Sequence, residues 1–268
     1  MTIATWLSDT SNELADAMIP SAGLDAEIIL AHTLNKPRTW LHAHGDEALD
    51  PRRRDIADAR AQLRLERVPI AYIIGHKEFY GRRFRVTPDT LIPRPESEAL
   101  IGLAKQYTPE VRQAVDIGTG SGCLGITLKL ELPQLSMTLI DTSKKALTVA
   151  AQNAATHGVE VRTLQSDLLD AYPLSADLMI ANLPYVDPAW PDNSPDLAHE
   201  PSSALYAADH GLGLIKQLLK QAPSRLAPQG VLLLEADERQ HEALVKCAQA
   251  HGFTHLDTEG LALAFRLS

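Results

Sequence analysis

Asn182-Leu183-Pro184-Tyr185 is the segment of this chain best suited to grip a reacting group. It follows a short apolar run, Ala176-Asp177-Leu178-Met179-Ile180-Ala181, that reads as a buried strand. The Asn182 side-chain oxygen and a backbone carbonyl at Leu183 can each accept one N–H bond, so together they can orient a planar –NH₂ group. Tyr185 can stack on that plane. An amide nitrogen is a poor nucleophile because its lone pair is delocalised into the carbonyl. Two such bonds aim the lone pair at an electrophile, and positioning plus oriented dipoles can supply most of the barrier reduction. No strong general base is required before attack, because the proton can leave afterwards to water.

Upstream lies Asp116-Ile117-Gly118-Thr119-Gly120-Ser121-Gly122, a second strand end running into a glycine-rich turn. Glycines there let the backbone approach a ligand closely. A dinucleotide fingerprint wants its third glycine one position later, where Cys123 stands, and the Lys-Ser/Thr of a P-loop is absent. The next strand ends in Asp141, whose carboxylate can accept hydrogen bonds from both hydroxyls of a ribose. The third leads to Ser166-Asp167-Leu168, where Asp167 can accept from an adenine amino group and Leu168 can pack on the ring. Glycine turn, ribose acid and adenine acid at three successive strand ends are the layout of an S-adenosylmethionine pocket. Plainer roles stand beside these. Asp116 can orient the loop or meet the amino group of the methionine moiety, and Thr119 and Ser121 can satisfy turn amides.

These residues need a frame. From residue 96 onward helices and strands alternate: strands at Ala114–Ile117, Met137–Asp141, Val159–Leu164, Leu178–Ala181, Val231–Glu235 and Ala262–Leu267, with helices at Cys123–Leu130, after Ser143, at Leu212–Ala222 and at Glu238–Ala250. Ser143 caps its helix, Leu147, Ala150, Ala151 and Ala154 form the apolar face, and Gly158 suits its end. Such alternation predicts an α/β fold with a doubly wound, mostly parallel sheet that binds ligands at the carboxyl ends of its strands. Residues 1–72 read as a small helical bundle, with Leu24, Ile28 and Ala31 on one face and Asp50-Pro51 starting a helix. Residues 73–94 read as a β-hairpin linker around Phe79-Tyr80-Gly81, and 95–268 as the second domain.

Composition sets the limits. With 45% hydrophobic residues among 268 the chain can bury a substantial core. Its two cysteines, Cys123 and Cys247, read as small buried residues in a reducing compartment, and no metal site is expected. The start lacks a signal-peptide pattern, and no apolar run reaches the ~20 residues of a membrane span, so a cytoplasmic protein with no membrane partner is expected. A net charge of −9 argues against direct nucleic-acid binding. Between Pro51 and Arg94, however, eleven Lys/Arg face five acids, a local +6 that leaves −15 elsewhere. That stretch is either a solvated helix face or a docking surface. His76 and His210 read as loop histidines, since sequence alone identifies no catalytic partner for either.

The Asn182–Tyr185 segment resembles the Asn-Pro-Pro-Tyr motif of amino-methyltransferases, with Leu183 in place of the first proline. More widely, the chain resembles the HemK/PrmC glutamine methyltransferases. The likeness runs through Gly75–Gly81, Leu91-Ile92-Pro93-Arg94-Pro95-Glu96-Ser97-Glu98, the Asp116–Gly122 turn, Asp141, Asp167, Glu200–Leu205 and Asp209–Leu212. It implies a class I, Rossmann-like, seven-stranded S-adenosylmethionine-dependent methyltransferase that releases S-adenosylhomocysteine. The substrate it implies is the glutamine in the Gly-Gly-Gln loop of peptide chain release factors, with the N-terminal domain helping to dock that partner. Asn182, Leu183, Pro184 and Tyr185 would be catalytic and substrate-binding. Arg94 would contact substrate or pair with Glu96 or Glu98 to stiffen the linker, the latter preferred. A ribosomal-protein glutamine and a DNA adenine are the alternative acceptors. Because leucine also has a backbone carbonyl, Leu183→Pro is expected to leave the rate nearly equal.

Overall fold

The computed structural model describes residues 1–107, 111–191 and 195–268. They form two compact units, Met1–Gly75 with Pro195–His199, and the remaining residues from His76 onward.

The first unit contains α1 (Ile3–Asp16), α2 (Ala22–Leu34), α3 (Arg38–Ala43), α4 (Pro51–Leu65) and α5 (Ile70–Ile74). Asp50 caps α4 by accepting the Arg53 N–H at 3.0 Å, with Pro51 in the first turn, as the sequence implies. Highly charged α4 buries only Ala57, Ala61 and Arg64. Arg64 donates from Nε to Asp25 Oδ2 and from Nη2 to Asp196 Oδ2, both at 2.8 Å, and the Ser21 hydroxyl also donates to Asp25. The expected face of α2 is only partly right: Ala31 is buried and Ile28 half-buried, but Leu24 is 46% exposed, while Asp25, Ala26, Ile29, Leu30 and Thr33 turn inward. Apolar residues surround this helix, so spacing alone does not choose its buried side.

The basic stretch is divided between the units at Gly75, and much of it is engaged within them. Arg53 and Arg60 donate to the Thr33 carbonyl and hydroxyl at 2.7 Å each, Arg67 to the Ala17 carbonyl at 2.6 Å, and Arg82 to Glu131 at 2.7 Å.

The second unit opens with the hairpin β1 (His76–Phe79) and β2 (Arg82–Arg85), joined by Tyr80-Gly81 with both residues left-handed. Phe79 and Phe84 are buried and meet edge to face, ring centroids 6.2 Å apart. There follow α6 (Glu98–Tyr107), β3 (Gln113–Ile117), α7 (Cys123–Glu131), β4 (Ser136–Asp141), α8 (Lys144–Thr156), β5 (Arg162–Gln165) and β6 (Ala176–Ala181). The unit closes with α9 (Ser202–Leu205), α10 (Gly213–Gln221), β7 (Leu226–Glu235), α11 (His241–Ala250), β8 (Phe253–Glu259) and β9 (Ala262–Leu267). Among the described residues, β3 to β9 make a seven-stranded sheet in the order β5-β4-β3-β6-β7-β9-β8, parallel except at β9. The expected doubly wound, mostly parallel sheet is therefore present, with hydrophobic clusters on its two faces. No helix among the described residues is long and apolar enough to cross a membrane.

Several boundaries move for local reasons. β5 begins at Arg162 rather than Val159 because the Val159 N–H closes α8 on the Ala154 carbonyl at 3.0 Å. β7 begins at Leu226, its pairing with β6 passing through a register shift near Ala176 that the Pro228-Gln229-Gly230 turn signal obscured. On α8, Ala151 is exposed and Asn153 is buried instead. Asn153 accepts from the Arg85 N–H at 2.8 Å and donates to the carbonyls of Arg85 and Ser121 at 3.0 and 2.8 Å, tying hairpin to glycine turn.

Replacing Arg64 with methionine leaves Asp25, 3% exposed, without its ion-pair partner. The helical unit should lose about 3 kcal/mol of stability. Amide hydrogen exchange in α2 and α4 of the full chain should rise accordingly; unchanged protection would show that the pair holds nothing in place.

Candidate active site

Strand register alone assembles the site. Ile117 lies opposite Ile140 on β4 and opposite Ala181 on β6, and Ala181 lies opposite Leu234 on β7. One residue further along, Asp141, Gly118, Asn182 and Glu235 follow these partners in a row across the carboxyl edge of the sheet. The chain order reverses between β3 and β6, which is where a doubly wound sheet opens a crevice.

The glycine turn is anchored from below. Asp116 is fully buried, and its Oδ2 accepts the Thr119 hydroxyl at 2.6 Å and the Gly125 N–H at 2.9 Å. Its Oδ1 is buried without a hydrogen-bond partner. Burial pushes its pKa up to about 6, against the pull of those two bonds and with added push from Asp141. The Thr119 hydroxyl thus serves Asp116 rather than a turn amide. At Gly118, φ is +71°, and a Cβ would stand 2.8 Å from the Leu183 Cδ2, so only glycine admits Leu183 here.

A cavity of about 300 Å³ opens above this turn. Gly118, Gly120, Asp141, Asp167, Leu168, Asn182, Leu183 and Pro184 all reach it, as do Ile117, Ile140 and Pro88–Leu91. Asp141 accepts the Gly120 N–H through Oδ2 at 2.9 Å and the Ser143 N–H through Oδ1 at 2.8 Å. Each oxygen keeps a second lone pair for a ligand hydroxyl. Burial raises the Asp141 pKa, and its backbone bonds oppose the shift. Leu168 holds φ at +44°, a strained value for a leucine on a cavity wall. The donor and acceptor set fits an adenosyl ligand: an acid for a ribose, an acid beside an apolar side chain for a purine, and an open floor at Gly120, where a Cβ would meet nothing within 4 Å.

A second, smaller cavity of about 40 Å³ is lined by Leu91, Pro93, Arg94, Ser97, Gly118–Ser121, Cys123, Leu124 and Asn182. Asn182 therefore borders both. Its Nδ2 donates to the Ser97 hydroxyl at 2.9 Å. Asp116, Gly122 and Tyr185 line neither cavity.

Tyr185 is tethered at its hydroxyl. Its hydroxyl donates to Glu235 Oε1 at 3.0 Å, and burial, followed by Glu235, drives its pKa far up. The Tyr185 carbonyl accepts from Gln240 Nε2 at 2.8 Å, and the same nitrogen donates to the His210 carbonyl at 2.7 Å. At Gly211 (φ +82°) a Cβ would lie 1.9 Å from that Tyr185 carbonyl oxygen.

Arg94 pairs with neither Glu96 nor Glu98. Its guanidinium bonds buried Glu200, whose other oxygen accepts the Ile92 N–H at 2.9 Å, while Glu98 accepts the Tyr80 N–H at 2.7 Å. Sequence spacing favoured the near acids, but the chain returns Glu200 from a distant segment. His210 has a partner after all, Asp187 at 3.0 Å, although it is largely exposed. Glu235, Ser97, Glu200 and Gln240 were missed. Ser97 and Glu200 lie inside segments that carry the family resemblance, and Glu235 carried a signal of its own, a charge ending the apolar run Val231–Leu234 just as Asp116 and Asp141 mark β3 and β4.

Two family models match the chain, the PrmC N-terminal domain over residues 5–75 and the Methyltransferase small domain over residues 97–200. The release factor glutamine methyltransferase of Deinococcus radiodurans is 35% identical across 91% of this chain and 89% of its own length. That of Neisseria gonorrhoeae is 37% identical across 87% of each. A methyltransferase crystal structure from Pyrococcus furiosus, 16% identical, superposes on 79% of this chain and 98% of its own with a TM-score of 0.56, a likeness of fold.

Between the ordinary carboxylate pKa and about 6, folded Asp116 holds its proton more tightly than the unfolded chain does. Its contribution to stability therefore falls as pH rises through that window. Asp116→Asn removes this dependence. Relative to wild type, the variant should gain about 2–3 kcal/mol on going from pH 4 to pH 8. Denaturant titrations at the two pH values read the difference; an equal gap at both would mean that the buried carboxylate does not titrate there.

Proposed function

This chain belongs to the release factor glutamine methyltransferase family, and on that premise we propose that it transfers a methyl group from S-adenosylmethionine to a release factor glutamine. The acceptor is the side-chain amide nitrogen in the Gly-Gly-Gln loop. The observation that carries the assignment of roles is the position of Asn182, on the wall shared by the larger and the smaller cavity. The two cavities share Leu91, Gly118, Gly120 and Asn182, and of these Asn182 alone carries a polar side chain to set beside a group that spans them.

The residues divide the work. Asp141 holds the ribose hydroxyls, Asp167 the adenine amino group, and Leu168 packs on the base. Gly118 and Gly120 let the backbone come close, with Thr119, Ser121 and Gly122 shaping the turn and Asp116 fixing it. When bound, S-adenosylmethionine supplies a methyl group activated by a sulfonium centre. Everything else is positioning by the chain. Asn182 turns its Nδ2 toward Ser97, which leaves Oδ1 to accept one N–H of the acceptor amide. The Leu183 carbonyl accepts the other, and Pro184 biases Leu183 toward the extended backbone that presents it. With both N–H groups held, the nitrogen lone pair faces the larger cavity. S-adenosylmethionine held by these residues would give up its methyl group to that nitrogen, and the surplus amide proton would leave to water. Arg94, held by Glu200, shapes the smaller cavity as a substrate-binding wall. The N-terminal helices, residues 1–72, serve to dock the release factor, with the hairpin segment 73–94 leading into the methyltransferase domain, 95–268.

Ribosomal-protein glutamine and DNA adenine are not favoured as acceptors, because relatives matched over nearly the whole chain are release factor enzymes.

Mass spectrometry of a release factor after reaction should find one added CH₂ on the loop glutamine and nowhere else. Asn182→Ala should lower kcat by about 100-fold or more while S-adenosylhomocysteine still binds. Full turnover by that variant would remove Asn182 from the chemistry.

A further inference from the structure

Glu235 is 1% exposed at the end of β7, and the register of β6 with β7 sets it beside Asn182. A buried carboxylate is costly unless donors surround it. Here its neighbours are donors. Tyr185 gives its hydroxyl proton to Oε1 at 3.0 Å, while Oε2 is buried with no hydrogen-bond partner. The Ser97 hydroxyl oxygen already accepts the Asn182 Nδ2–H at 2.9 Å, so its single proton remains to be given. Burial, aided by Glu96, raises the Glu235 pKa, while Ser97, Tyr185 and Asn182 oppose the shift.

We propose that Glu235 is a positioning residue that sets the polarity of the amide clamp through a one-way relay, Asn182 N–H to Ser97 O–H to carboxylate. An ionised carboxylate accepts and cannot donate. Ser97 must then point its proton at Glu235 and its lone pair at Asn182. That forces the Asn182 NH₂ inward and its Oδ1 outward, toward the acceptor. If the far end of the relay could donate, Ser97 could reverse and Asn182 could flip, presenting N–H groups to an acceptor that itself offers N–H groups. The geometry of the clamp would survive while its hydrogen-bonding sense inverted. Tyr185 is fixed by the same carboxylate, so both ends of the Asn182–Tyr185 segment answer to one buried charge.

This inference rests on the proposed role of Asn182 and deepens it. The test is Glu235→Gln in the full chain, a near-isosteric change that removes the charge and adds a donor. It should lower kcat for a native release factor by about 100-fold with little change in S-adenosylmethionine affinity. Polarity has its own readout, the binding of a release factor whose loop glutamine is replaced by glutamate. Wild type should bind this acceptor-only analogue about 10-fold or more weaker than the glutamine form. In Glu235→Gln the gap should close or reverse. Ser97→Ala, which breaks the relay and keeps the charge, should also lose turnover and serves if the first variant does not fold. A wild-type rate in either variant, or a slow Glu235→Gln that keeps the full preference for glutamine over glutamate, would overturn the proposal. Those outcomes with Asn182→Ala still inactive leave the clamp standing without its relay; an active Asn182→Ala ends the clamp itself.

Discussion

The alignment of parallel strand ends is the constraint on which the site depends. β3 is hydrogen-bonded between β4 and β6, and β6 between β3 and β7, so three registers must agree before Asp141, Gly118, Asn182 and Glu235 stand in one row. A slip of one residue on β6 would turn Leu178 and Ile180 from one face of the sheet to the other. Both faces are packed, Met179 and Ala181 in one cluster and Leu178 and Ile180 in the opposite one, so the slip is opposed from both sides. The chemistry borrows its precision from hydrophobic burial along the strands that carry it.

This end of the sheet gathers acids that are buried or half-buried. Asp116, Asp141 and Glu235 all have pKa values raised chiefly by burial, and each is held by short bonds from backbone N–H groups or hydroxyls. Pairing with a cation would neutralise them more fully, but Arg94, on the wall of the smaller cavity, is bound to Glu200 instead. Of the three, Asp141 lines the larger cavity, together with Asp89 and Asp167, an acidic lining complementary to the sulfonium and ammonium charges of the proposed cofactor.

What the sequence disclosed follows from the range of the interactions concerned. The glycine turn, Asp141 and the Asn182 segment are local patterns, each a strand end followed by its own loop, and they read correctly as elements. Partners that depend on chain crossings did not. Arg94 meets Glu200 rather than the acids beside it, and Ser97 meets Asn182 across the sheet edge. Asn153 sits on a helix face where periodicity calls for an apolar residue, because the hairpin and the glycine turn both need its amide. The basic stretch meets a related limit. A window along the chain sums charges that the fold assigns to different units and largely consumes in internal bonds.

Pro195–His199 groups with the N-terminal helices although it lies more than a hundred residues beyond them. The polypeptide leaves that unit at Gly75, re-enters it for one short turn, and departs again at Glu200. Excising the first unit as a contiguous fragment would therefore strip Arg64 of Asp196, and the His199 imidazole from its bond to the Glu66 carbonyl at 3.0 Å. The unit is contiguous in space and discontinuous in sequence, so a truncation at Gly75 makes a different molecule, with a buried guanidinium stripped of one of its two carboxylates.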